Sequence, residues 1–118
     1  MTDKEFFDLC QANETIIYER EAAGEIIERP LPGWQTSLRN TSATVQVGNW
    51  IKRDGSGVGF GAFTGFTLPN GAIRGPYFAW VHRSRTRSLT PEQRKGFLPL
   101  CPDFVVELLS DPGKLDYF

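Results

Sequence analysis

The run Phe104-Val105-Val106-Glu107-Leu108-Leu109 is apolar on both faces and carries a single charge. A strand that is apolar on both faces asks for cover on both, so the run predicts a buried, interior β-strand. A carboxylate in such a strand cannot stand alone, because desolvating a bare charge costs several kcal/mol. Two arrangements answer that cost. Glu107 either pairs with an arginine or hydrogen-bond donors, or it ligates a metal ion.

The rest of the chain supplies the elements around that strand. Thr2 with Glu5 three residues on makes a capping box, and Phe6, Phe7, Leu9 and Cys10 follow at helical spacing, which predicts a helix over 3–12 stopped at Asn13. Thr15–Glu21 and Glu25–Glu28 read as the strands of a hairpin turning at Gly24, ended by the prolines Pro30 and Pro32. Residues 34–53 carry both a helical face (Trp34, Leu38, Val45, Ile51) and a short alternating stretch; their length favours a helix closed by Asp54-Gly55. From Gly57 the period changes to two. Val58, Phe60 and Ala62 alternate with glycines, and the β-favouring pattern continues from Thr64 to Leu68, then a tight turn at Pro69-Asn70-Gly71-Ala72, then one strand from Ile73 through Val81. His82–Ser88 reads as a polar loop, and Thr90-Pro91-Glu92-Gln93 as a helix start. The glycines Gly55, Gly57, Gly59, Gly61 and Gly65 belong to strands and bulges, since no lysine and helix start follow at phosphate-loop spacing.

At 118 residues, with 40% hydrophobic and 23% charged residues, the chain is the size and composition of one ordinary domain, spanning residues 1–118. Cys10 and Cys101 sit far apart in apolar runs and lack zinc-ligand neighbours, so both read as small buried side chains in a reducing compartment. No apolar run approaches the roughly 20 residues of a membrane span, and the charged N-terminus lacks a secretory core. The expected location is cytoplasmic, with no membrane partner. Charge is segregated. Residues 1–28 hold eight acids against two bases, residues 29–95 ten bases against two acids, and the remainder four acids against Lys114. Such blocks fit a polyanion partner, and they fit equally well acidic and basic elements packed side by side. Trp50 and Trp80 read as core or near-core packing residues.

The stretch Pro102-Asp103-Phe104-Val105-Val106-Glu107-Leu108-Leu109-Ser110 resembles the glutamate strand of the restriction endonucleases of the Uma-two type, within the PD-(D/E)XK nuclease superfamily. Further stretches match in order: Glu5–Cys10, the hairpin with Glu19 and Gly24–Ile27, Gly65–Arg74, and Leu89–Glu92 before Gly96-Phe97. The resemblance implies an α/β, restriction-endonuclease-like mixed sheet with flanking helices and an N-terminal β-hairpin. It implies a DNA endonuclease in which an aspartate and a glutamate on neighbouring strands hold Mg2+ or Mn2+ for phosphodiester hydrolysis. Glu107 takes the glutamate's part.

Two departures follow. Where relatives read R-S-P-D, this chain reads Arg74-Gly75-Pro76-Tyr77, so Tyr77 stands at the aspartate position. A tyrosine is neutral near pH 7 and a poor ligand for a hard cation. Asp103 cannot stand in for it: along a strand it lies about 13 Å from Glu107, and Asp103 reads instead as the residue that turns the chain into the strand. Position 109, often lysine in the superfamily, is leucine. Relatives also continue into a helix and further strands where this chain runs Ser110–Phe118 and stops, so its C-terminal part is expected to be missing, with exposed strand edges open to a homodimer; Lys114 is a candidate for the lysine of that helix, though Pro112-Gly113 disfavours a helix there. Arg74 and the loop arginines Arg83, Arg85 and Arg87 are candidates for DNA phosphates. The expectation is a metal-dependent DNA endonuclease impaired or inactivated at Tyr77. The alternative is a non-enzymatic scaffold for DNA or protein binding.

Overall fold

Helix α1 (Asp3–Ala12) begins as its capping box dictates: the Glu5 N–H donates to Thr2 Oγ1, and the Thr2 N–H donates back to Glu5 Oε1. Strands β1 (Tyr18–Arg20) and β2 (Ile26–Glu28) form the expected hairpin, with Glu19 opposite Ile27 and Gly24 at positive φ in the turn. Helix α2 (Trp34–Asp54) resolves the ambiguous stretch in favour of helix and ends on Gly55 in the left-handed region. The computed structural model describes residues 1–29 and 31–108. Leu109, Lys114 and the segment to Phe118 lie outside the described residues.

β3 (Gly57–Phe60), β4 (Phe66–Thr67), β5 (Ile73–Arg74) and β6 (Phe78–His82) follow, then the short helices α3 (Arg83–Thr86) and α4 (Pro91–Lys95), and β7 (Phe104–Val106). The strands make two antiparallel sheets, ordered β2-β1-β5-β4 and β3-β6-β7. The expected α/β architecture of sheet and flanking helices is present, its strands divided between two antiparallel sheets, and among the described residues a parallel contact occurs at the isolated bridge Phe66–Leu98. The single strand expected from Ile73 to Val81 is broken. Pro76 has no N–H to give a ladder, so the chain leaves the first sheet after Arg74 and enters the second at Phe78.

The sheets meet in a core of Phe66, Ala79, Val81 and Leu98, bordered by Phe60, Leu68, Leu89, Leu100 and Val105. β4 and β6 contribute one face each, which places the break at Gly75-Pro76 beside the core. On the first sheet, buried Phe6 brings α1 against Phe97, with ring centroids 6.1 Å apart. Arg20 lies 5.8 Å over the Phe6 ring and donates to Asp3 and to the Gly71 carbonyl, tying α1 to the turn after β4. On the second sheet Gly57 is needed for close approach: a Cβ there would stand 2.1 Å from the Trp80 indole.

Four expectations change here. β7 is an edge strand of its sheet among the described residues, and Phe104 is 51% exposed beside the cleft it lines with Trp50 and Trp80. Trp50 itself is 43% exposed and meets Trp80 edge-on at 5.6 Å, so the pair is a surface contact between α2 and β6. His82–Ser88 contains the α3 turn, started by His82, whose Nδ1 accepts from the Ser84 N–H. Both cysteines are free, but only Cys10 is partly buried; Cys101, expected in the interior, is exposed. Among the described residues no helix is long and apolar enough to cross a membrane.

Candidate active site

The hairpin register decides where the first charged groups go. Residues paired across an antiparallel ladder share a face, so Glu19 lies on the face of Ile27, and Arg29, two residues on, returns to that face. The Arg29 N–H donates to the Ile17 carbonyl at 2.7 Å, which holds the arginine at the strand end. Its guanidinium reaches Glu19: Nη1 stands 3.2 Å from both carboxylate oxygens. Glu19 is only 2% exposed.

Glu107 arrives at the same point from the second sheet. It follows directly on β7, and β7 pairs with β6 so that Phe78 faces Val106. That register sets the Glu107 side chain against the start of β6, where the Tyr77 N–H donates to Glu107 Oε1 at 3.1 Å. Glu107 Oε2 accepts from Nη1 and Nη2 of Arg29, each at 3.2 Å. One guanidinium therefore joins a carboxylate of each sheet. All three side chains are nearly or fully buried, at 9% exposure for Arg29, 2% for Glu19 and 12% for Glu107.

The connection between β5 and β6 completes the site. The Gly75 N–H donates to Glu19 Oε2 at 2.7 Å. A Cβ at Gly75 would stand 3.2–3.4 Å from the backbone of Phe63, a tight approach that the glycine avoids. Phe63 is the one non-glycine residue among those described with positive φ, at 64°, and its N–H donates to the Pro76 carbonyl at 2.9 Å. A phenylalanine in that conformation costs about 1–3 kcal/mol and persists only where surrounding contacts impose it. Its ring lies 5.2 Å from the Tyr77 ring, and the Arg29 guanidinium carbon lies 5.6 Å from the first and 5.4 Å from the second. The three planar groups form a near-equilateral triangle, with the cation against two π faces.

Burial pushes the Glu19 carboxyl above the usual glutamate range, and neighbouring Glu107 adds to the push. The Gly75 N–H and the charges of Arg29 and Arg74 pull the other way without overcoming it. Desolvation of a carboxylate is the larger effect here, as expected for a charge taken almost wholly out of water.

A family model described as "Uma2: Putative restriction endonuclease" matches residues 3–117. The chain belongs to the Uma2 family. No curated protein matches it. The family is one of restriction-endonuclease-like proteins, which generally use divalent metal ions.

In this Uma2 chain the residues at the centre do not fit such an ion. Mg2+ demands near-octahedral oxygen ligands at about 2.0–2.1 Å. Here the four oxygens of Glu19 and Glu107 all accept hydrogen bonds from Arg29, Gly75 or Tyr77, and a cation already stands between the two carboxylates. Tyr77 places a 5%-exposed aromatic side chain beside Arg29, and no cluster of three or more candidate metal ligands occurs among the described residues.

The structure separates the other candidates. Arg74 is 5% exposed and lies beside Glu19, in the interior of the fold. Arg83, Arg85 and Arg87 are exposed at the far end of β6, roughly 16 Å along the strand from Tyr77. Arg83 donates to the Gly57 carbonyl and Arg85 pairs with Asp103 at 3.0 Å. Asp103 turns the chain into β7, as its sequence position suggests: its N–H donates to Trp80 O and its Oδ2 accepts from the His82 N–H. That amide, and then Arg85, hold the Asp103 carboxyl below the usual range. Sequence reasoning missed Arg29, Phe63 and the role of Glu19. The signal available was the hairpin register, which puts Glu19 and Arg29 on one face.

Proposed function

We propose that this chain is a restriction-endonuclease-family protein that does not hydrolyse DNA. The observation that carries the reading is the Arg29 guanidinium bridging Glu19 and Glu107, with Tyr77 at the position of the family aspartate. Phosphodiester hydrolysis of this class needs a divalent ion to activate water and to offset charge on the phosphorane-like transition state. A guanidinium can offset charge, but it cannot lower the pKa of water to make hydroxide at neutral pH. The two carboxylates are committed to it and leave no general base at the centre.

Purified protein incubated with supercoiled plasmid and either Mg2+ or Mn2+ is expected to leave the plasmid supercoiled, at every protein concentration tested. Metal-dependent nicking or linearisation that disappears in Glu107→Ala would overturn the proposal.

A second reading, retention of DNA without cleavage, is favoured by the exposed arginines Arg83 and Arg87 on and beside α3. Phosphate contacts release counterions, so such binding weakens linearly in log salt. Gel-shift titration across a salt series tests it. A flat salt response, or no retention at low salt, rejects it.

A further inference from the structure

We infer that Glu19, Glu107, Phe63 and Tyr77 together form a guanidinium-binding site that the chain fills with its own Arg29, and that this site takes a planar monovalent cation in preference to a divalent metal ion. The inference rests on the reading above that the centre does not operate as a metal site, and it names what the centre recognises instead.

Each wall of the site suits a guanidinium. The carboxylates of Glu19 and Glu107 lie around its N–H edge, with contacts of 3.2 Å to Nη1 and Nη2. The amides of Gly75 and Tyr77 hold Glu19 Oε2 and Glu107 Oε1, which orients both carboxylates independently of the arginine. The Phe63 and Tyr77 rings stand 5.6 and 5.4 Å from its carbon. A guanidinium is weakly hydrated, delocalised and stacks on aromatic faces, whereas Mg2+ holds its water tightly and needs oxygen on every side. Two π faces supply none. Phe63 holds a positive φ, and its ring lies 5.2 Å from that of Tyr77 beside Arg29. On this view Tyr77 is a part of the cation site, and its presence at the family aspartate position matches the exchange of a metal ion for an arginine.

The test uses the whole chain carrying Arg29→Ala, which keeps the backbone bond to Ile17 and empties the space of the head group. Thermal and urea unfolding are followed in millimolar methylguanidinium, methylammonium or Mn2+. Methylguanidinium is expected to stabilise the variant saturably and to leave the wild type unmoved. At ten times its dissociation constant the folded-to-unfolded ratio rises about elevenfold. Methylammonium and Mn2+ are expected to do neither, and Glu107→Gln in the same background should weaken the methylguanidinium effect. Stabilisation by Mn2+ that is lost on Glu107→Gln overturns the inference, as does a folded variant indifferent to methylguanidinium. Should Arg29→Ala not fold, nitrogen-resolved NMR of the wild type decides. A held guanidinium gives separate, slowly averaging Nη signals for Arg29, which Tyr77→Leu should merge. A freely averaging Arg29 in the wild type rejects the site. Plasmid cleavage by the wild type would sink the preceding proposal while leaving these measurements intact, so the two failures are distinct.

Discussion

Arg29→Ala is the substitution on which the account of this centre most depends. Its guanidinium, 9% exposed, is shared by a carboxylate that is 2% exposed and another that is 12% exposed. Removing one partner of a buried ion pair leaves an uncompensated charge, at a cost of about 3–5 kcal/mol. Glu107 keeps some contact with water and a bond from the Tyr77 N–H, so the lower end applies, about 3 kcal/mol. At a urea slope of about 1.5 kcal/mol per molar, the unfolding midpoint falls by about 2 M. The loss should shrink as pH is lowered. Burial already raises the Glu19 pKa in the folded state, and without Arg29 it rises further, so the folded variant gains stability as protons bind below that raised value. The triple variant Arg29→Met, Glu19→Gln, Glu107→Gln should regain much of the loss, because the penalty lies in the unpaired carboxylates. Urea titrations at neutral and mildly acidic pH measure all of this. A loss below about 1 kcal/mol, the scale of an exposed pair, would refute the reasoning, and so would a triple variant no more stable than the single one.

Tyr77→Asp alone should bind no Mn2+ by calorimetry, because Arg29 remains to pair with the new carboxylate; a heat that saturates at one ion per chain would contradict this. Glu19→Gln should flatten the pH dependence of stability. The native carboxyl, raised above the glutamate range, makes stability fall as pH climbs from that range through the folded-state value, and a thermal melt series in that window shows the slope or its absence. Asp103→Asn should act with the opposite sign. The lowered carboxyl contributes above the ordinary aspartate range and loses that contribution as pH falls through its folded value, so wild type and variant should converge in acid. Gly57→Ala should cost about 1–3 kcal/mol by overpacking against Trp80, read as a lower urea midpoint at unchanged slope.

Glu107 shows how far a local pattern carries. A carboxylate among apolar residues must be answered, and both possible answers, an arginine or a metal ion, follow from desolvation alone. Choosing between them requires knowing what lies across the sheet interface. Arg29 is 78 residues away and is brought there by the end of the hairpin, while β7 arrives by pairing with β6. Arg74 shows the same limit. Its charge suggested surface, but it ends β5 just before the Gly75-Pro76 crossing, where the chain passes between sheets through the interior.

By itself, the sequence determined the helices with capping boxes at Thr2 and Thr90, the Gly24 hairpin, the turn at Asn70-Gly71, and the family to which the chain belongs. These are readable because caps, turns and periodicity act over a few residues, and the matching motifs lie in order along the chain. The tertiary structure alone decided that Ile73–Val81 divides between two sheets and that β7 lies at an edge of its sheet among the described strands. It alone decided that Arg29, Phe63 and Tyr77 meet between Glu19 and Glu107. Burial, and the pairing it forces on charges, depend on elements far apart in the chain, so the cation beside Glu107 is set by the fold.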